Sequence, residues 1–141
     1  MTDIPFGNPG RAEDAFEAFT QRDLLLSDTP AFFTEDMTLA ASQDIALYEV
    51  VGLDGDGNII PAVLDTGTPA NDVQAIGLAA GAITSGVREN PTIQVIRGGH
   101  FNADMLVWEA GFATDAQKIA AFRGAPTPTQ IVIGFNKYHK A

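Results

Sequence analysis

Cysteine is absent from the 141 residues, which excludes disulfides, thiolate nucleophiles and Cys-ligated zinc or iron–sulfur sites. Basic residues are scarce: eight Lys and Arg face eighteen Asp and Glu, for a formal charge of −10. Nucleic-acid affinity rests chiefly on Lys and Arg displacing counterions from phosphate, so no nucleic-acid partner is expected. No apolar run approaches the roughly 18 to 20 residues that span a bilayer, and the acidic start lacks the basic-then-apolar order of a signal peptide. The expectation is a soluble, unprocessed protein with no membrane partner, made in a reducing cytoplasm. No Gly-rich loop with a following Lys is present, because Gly81-Ala82-Ile83-Thr84-Ser85-Gly86 lacks the charge and placement needed to cradle phosphate. Hydrolase, kinase and dehydrogenase chemistry has no anchor, and the chain reads as a non-enzyme without cofactor.

What is present suits one domain, since 45% hydrophobic residues can fill a single core at this length. The charge is uneven. Between Met1 and Asp72 fourteen acids face only Arg11 and Arg22, whereas the remainder holds four acids and six bases. The acids read as a solvated face, with the alternative that the less acidic half meets a partner. Met1 to Gly10 contains Pro5, Gly7, Pro9 and Gly10 and reads as an extended arm. Arg11 to Phe19 suits about two helical turns with Ala12, Ala15, Phe16 and Phe19 on one side. Five of nine phenylalanines, Phe6, Phe16, Phe19, Phe32 and Phe33, fall in the first third. Exposed Phe would be sticky, so this segment either folds back on its own core or is buried against a neighbour.

From Leu24 onward short strand-like pieces alternate with turn residues. Leu24-Leu25-Leu26 and Thr38-Leu39-Ala40 each precede a turn cluster. Ala46 to Val51 reads as a strand, and Asn58 to Leu64 pairs back across Asp54-Gly55-Asp56-Gly57, with Pro61 on an edge or at a bulge. Ala75 to Ala80 is an apolar strand whose Gly77 permits close packing. Thr92 to Arg97 alternates, Gly98-Gly99 lets the backbone turn, and Ile131 to Phe135 supplies a late strand after Pro126-Thr127-Pro128. Such spacing implies a small barrel or sandwich. One helix stands out: Thr114 and Gln117 form a capping box, Ala116, Ile119 and Ala120 face inward, and Gly124 takes the C-terminal position.

Three features imitate chemistry. Asp54-Gly55-Asp56-Gly57-Asn58 with Asp65 resembles a calcium loop, but Ile59 stands where the sharp turn needs Gly and Pro61 interrupts the ligands, so a hairpin turn is expected and no metal site. His100 and Asp104 could share one side of a strand, yet no Ser, Cys or third ligand joins them in sequence, and His139 lies in the basic tail. A surface or packing role is expected for both histidines. Trp108, the sole tryptophan, reads as a core or interface anchor in preference to a ligand platform.

The run Ile93 to Arg97, the Gly98-Gly99 pair, Phe101, Asp104, Leu106 and Trp108, then Asp115, Lys118, Ala121-Phe122 and Gly124 leading to Ile131-Val132-Ile133, resembles the C-terminal half of the lambda-type phage head decoration protein D family. Upstream, Leu24 to Asp28, Thr38 to Ala40, a hairpin and Ala75 to Ala79 are similar to that family's order, so the likeness spans roughly Leu24 to Ile133. The resemblance implies a mainly β fold with minor α: a β-clip-like small barrel, one short helix near residues 114–123, and an extended N-terminal arm. It divides the chain into a capsid-contacting arm at 1–23, a decoration domain at 24–136 and a basic tail at 137–141. It implies a homotrimer on the outer surface of the expanded head at three-fold positions, with the major capsid protein as partner. Ile4, Pro5, Phe6, Arg11, Phe16 and Phe19 are then the candidate capsid-contacting residues, and Phe101, Trp108 and Phe122 support the core or the trimer. The family's arm orders against the shell partly by adding a strand; here the arm is more acidic and richer in Phe, and Gly134 to Ala141 extends beyond the family pattern. The runner-up reading is a small β-barrel that displays a ligand or glycan site from a virion.

Overall fold

The computed structural model describes residues 24–65, 67, 71–123 and 130–135. The strands are β1 (Leu25–Ser27), β2 (Phe33–Thr38), β3 (Asp44–Ile45), β4 (Val50–Leu53), β5 (Ile59–Pro61), β6 (Ala75–Ala79), β7 (Ile83–Thr84), β8 (Thr92–Asn102) and β9 (Gln130–Gly134). A 3-10 turn at Ala103–Met105 and the helix α1 (Asp115–Ala120) separate the last two. Mainly β with minor α is therefore the observed class.

The eleven-residue β8 organises the sheet. Along one side β2 and then β1 pair with it, both antiparallel. Along the other, β6 pairs with Val95 and Ile96, and β9 runs parallel to Gly98 through Asn102. The sheet continues from β6 to β4 and β5, while β3 and β7 form a small separate sheet. Successive residues of a strand point to opposite faces, and here each face carries an apolar cluster. Val50, Ala75, Leu78 and Ile96 join Phe101, Leu106, Phe112, Phe122, Ile131 and Ile133 on one side. Val51, Ile76, Ala79 and Val95 join Leu39, Ile45, Ile59 and Ile93 on the other. Covered on both faces, β6 has no position for a polar side chain, hence its unbroken apolar sequence. Gly77 lets β8 approach: a Cβ there would sit 2.8 Å from the Ile96 carbonyl oxygen.

The sheet is open and does not close into the expected barrel. Leu39, just past β2, makes one isolated bridge to Ile59 of β5, with the Ala40 amide donating to the Ile59 carbonyl at 3.0 Å. A single bridge curls the two flanks together without completing a ladder. The hairpin forms as expected: Leu53 faces Ile59, and β5, carrying Pro61, is the outermost strand beside β4. It is shorter than the sequence suggests, ending at Pro61.

Three local expectations are corrected. Ala46 to Val51 is not one strand, because Tyr48 adopts φ 63° and the Glu49 amide closes a turn onto the Ala46 carbonyl, so β4 starts only at Val50. Gly98-Gly99 does not turn the chain; β8 runs straight through. The Phe33 ring occupies the place of a Gly98 side chain, with its Cδ1 2.6 Å from where a Cβ would lie, and Gly99 has φ 141° with the Phe101 ring against it. The pair is required by close approach and backbone conformation. Finally, α1 has both halves of the capping box, Thr114 accepting from the Gln117 amide and Gln117 accepting from Thr114, but Ala116, Ile119 and Ala120 are not buried. The turn after the helix does the packing, through the partly buried Ala121 and the buried Phe122. Gly124 and the Pro126-Thr127-Pro128 link lie outside the described residues.

Candidate functional site

The expected arm residues Ile4, Pro5, Phe6, Arg11, Phe16 and Phe19 lie outside the described residues, as does His139. Their point of attachment is described. β1 begins one residue after Leu24 and lies along the end of β8, where Leu25 faces Phe101.

Phe101 is fully buried and faces β1 on one side and Ile133 of β9 on the other. Phe32 meets its ring edge-on, with centroids 6.3 Å apart. Trp108 is half-buried: its indole N–H donates to the Ala103 carbonyl at 2.9 Å, its ring lies 5.2 Å from that of Phe112, and the Lys118 ammonium stands 5.9 Å above it. Phe122 is buried in the same cluster. The structure thus unites Phe101, Trp108 and Phe122 around one core.

His100 has a partner that sequence distance concealed, because Ser27 lies on another strand. The Ser27 hydroxyl donates to the Thr29 carbonyl at 2.8 Å, and its oxygen lies 2.8 Å from His100 Nδ1. With its one proton committed to Thr29, the hydroxyl accepts from Nδ1–H. A histidine that donates to serine cannot draw off the serine proton, so this pair ties β1 to β8 and is not an activated nucleophile. Asp104 sits in the 3-10 turn, past the strand whose alternation would have set it beside His100.

The Asp54 loop is a working hairpin tip. Its Oδ1 accepts the amides of Asp56 and Asn58, each at 2.9 Å. Among the described residues no three His, Cys, Asp or Glu side chains are grouped to hold a metal ion. Asp65 acts in a similar way: its carboxylate accepts the amides of Gly67 and Asn71, and those bonds hold its pKa below the ordinary 3.8. The Asp65 amide in turn donates to Asp72.

Sequence reasoning flagged Phe32 and Phe33 as sticky but missed the rest of the apolar surface. Phe32 and Phe33 are 50% and 44% exposed where β2 begins. Leu47, Met105 and Val107 are also exposed, and they belong to two segments that run side by side: Val107 donates to the Tyr48 carbonyl and accepts from the Val50 amide. Their signal in the sequence was weak, because isolated apolar residues between turns read equally well as core. An open cavity of about 450 Å³ lies between the Val63–Leu64 and Val73–Ala75 segments and Phe112, with Asp72 and Arg123 also lining it. Gln74 spans its wall by donating to the Ala121 carbonyl at 2.6 Å. This lining contains no nucleophile–base pair.

What the described residues present is a β scaffold with exposed apolar surface. Residues 16–127 match the family model of the bacteriophage lambda head decoration protein D. The chain belongs to that family. The match covers β1 through α1 and stops before β9, so the strand that delivers Ile131 and Ile133 to the core lies beyond it. No individual curated protein matches the chain. The family is one of phage head decoration proteins, which makes a structural role in the virion capsid the coarse assignment.

Proposed function

We propose that this protein is a cement subunit that binds the outer surface of the expanded head as a homotrimer at three-fold positions, bridging neighbouring copies of the major capsid protein. The family match across the body carries this reading. The arm, residues 1–23, makes the contact through Ile4, Pro5, Phe6, Arg11, Phe16 and Phe19, while Phe101, Trp108 and Phe122 maintain the body that presents it. An extended segment with Pro5 and Pro9 has backbone groups ready to pair with an exposed sheet edge. Three arms on one trimer make the second and third attachments effectively intramolecular, so modest single affinities sum to a durable grip. A subunit that binds only the expanded shell stabilises it by mass action. The exposed Leu47, Met105 and Val107, together with Phe32 and Phe33, supply apolar area that association would cover.

Deletion of residues 1–10 tests the reading. The truncated protein should remain folded, scatter light as three copies of a chain slightly shorter than the full 14.9 kDa, and fail to decorate expanded heads seen by electron microscopy. Truncated protein that saturates heads with undiminished affinity would overturn the arm assignment.

A further inference from the structure

Main-chain groups of successive strand residues point to opposite edges, and the bonds around β8 fix which groups of β2 point where. The Gln94 carbonyl accepts from the Ala80 amide on the β6 side at 2.9 Å, so the groups of Val95 turn the other way, to their register partner Glu35. Just past β2, the Leu39 amide turns inward too and donates to the Pro91 carbonyl at 2.8 Å. Glu35, Met37 and Leu39 thus bond inward, and the N–H and C=O groups of Thr34, Asp36 and Thr38 point out from the edge of the sheet. Among the described strands β2 pairs with β8 alone. The next outward amide, that of Ala40, is taken by the Ile59 carbonyl, so the edge is shut past the end of β2 and open along it. Five of the six residues of β2 are exposed.

The two faces beside this edge differ. Glu35 and Met37 share one with Val95 and Ile93; Met37 packs against that apolar cluster, and the Glu35 carboxylate is matched by Arg97 at 2.9 Å. Thr34, Asp36 and Thr38 share the other with the exposed Thr92 and Gln94, and among the described residues no cation is paired with Asp36. A strand laid along the edge therefore meets apolar surface with one row of its side chains and an unmatched carboxylate with the other. A second copy of β2 does not suit. Outward residues must face outward residues, and the antiparallel register that uses all three sets Asp36 against Asp36, like charges directly opposite.

We propose that the outer edge of β2 accepts an extended segment of a partner protein in which Lys or Arg alternates with apolar residues, the basic row facing Asp36 and the apolar row continuing the surface of Met37. Main-chain bonds to Thr34, Asp36 and Thr38 give this strand addition its hold, and the alternate side chains give it selectivity. An open edge is otherwise an aggregation hazard; Asp36 opposes self-pairing while favouring a basic strand. The site gives the body a grip of its own, apart from residues 1–23. That the segment belongs to the capsid shell rests on the cement reading; the chemistry of the edge does not.

Residue-resolved amide exchange of the full chain, followed by NMR, tests the edge without any capsid present. In the free protein the Thr34, Asp36 and Thr38 amides should exchange at least about tenfold faster than those of Glu35 and Met37. The heptapeptide Lys-Val-Lys-Val-Lys-Val-Lys, blocked at both ends and millimolar at low salt, should slow the three outward amides at least about threefold. Its counterpart with Glu in place of Lys should leave them unchanged. Asp36→Lys should weaken binding of the basic peptide several-fold. Asp36→Pro, whose ring removes only an outward N–H, should abolish it with the body still folded, whereas Met37→Pro removes a bond to β8 and should lower the thermal midpoint. Outward amides already protected in the free chain, no protection by the basic peptide, protection confined to another strand, or equal effects of the two peptides would overturn the proposal. Expanded heads should take up Asp36→Pro several-fold less tightly than the unaltered chain. Heads that bind neither would count against the cement reading alone, because the peptide measurements decide the edge without them.

Discussion

Thr92 to Arg97 and Gly98 to Asn102 are consecutive stretches of one strand, yet they are built by different means. In the leading stretch alternate residues serve a cluster or the surface as far as Val95: Ile93 and Val95 are buried while Thr92 and Gln94 are exposed, and Ile96 is then buried in the opposite cluster. Its neighbours β2 and β6 are both antiparallel. In the trailing stretch a glycine pair admits the rings of Phe33 and Phe101, and the added strand β9 is parallel and remote in sequence. The leading stretch is specified by its own pattern and the trailing one by what arrives from elsewhere, so substitutions should separate them.

The largest effect is expected at Phe101→Ala, which empties the place where β1, β8 and β9 meet. About 3 to 5 kcal/mol of stability should be lost on denaturant unfolding, and a loss under about 1 kcal/mol would show that the trailing stretch does not depend on that ring. Gly98→Ala should cost about 1 to 3 kcal/mol, because the new methyl meets both the Phe33 ring and the Ala31 carbonyl oxygen. Thr114→Ala, which removes the helix cap remote from both stretches, should cost about 1 kcal/mol. Gln94→Ala in the exposed register of the leading stretch should stay within about 0.5 kcal/mol. The smallest effect concerns the Asp65 loop. Since its carboxylate is held below the ordinary 3.8 when folded, the contribution is complete above the unfolded value and is lost as pH falls through the folded one. Amide exchange at Gly67 and Asn71 should therefore be unchanged, relative to Asp65→Asn, from neutral pH down to about 5 and accelerate only in stronger acid.

The same contrast explains what was legible in the sequence. Local rules worked where a few adjacent residues decide the outcome: the Thr114–Gln117 cap, the Asp54 hairpin with Pro61 at the edge, the alternation of Thr92 to Arg97, and the late strand at Ile131. They failed where distant residues intervene. Gly98-Gly99 resembles a turn until Phe33 is brought over it. Ala46 to Val51 has strand composition, but Tyr48 enters the left-handed region and cuts it. The apolar stripe of α1 suggests burial, yet with only six residues the helix buries none of that stripe and packs through Phe122. Ser27 and His100 are 73 residues apart, and no spacing rule joins them. Of the candidate site, the family likeness was readable, whereas the exposed Leu47, Met105 and Val107 become a surface only once two separate segments lie together.

The Asp54 hairpin has a practical consequence. Its tip rises from the outermost pair of strands, and neither Gly55 nor Gly57 has a neighbour within 4 Å of where a side chain would begin. Lengthening a surface loop costs only about 0.6 kcal/mol per doubling, to which the loss of the tip's own bonds must be added. A foreign epitope grafted between Asp56 and Gly57 would thus be held clear of both apolar clusters, making this loop a natural handle for engineered display.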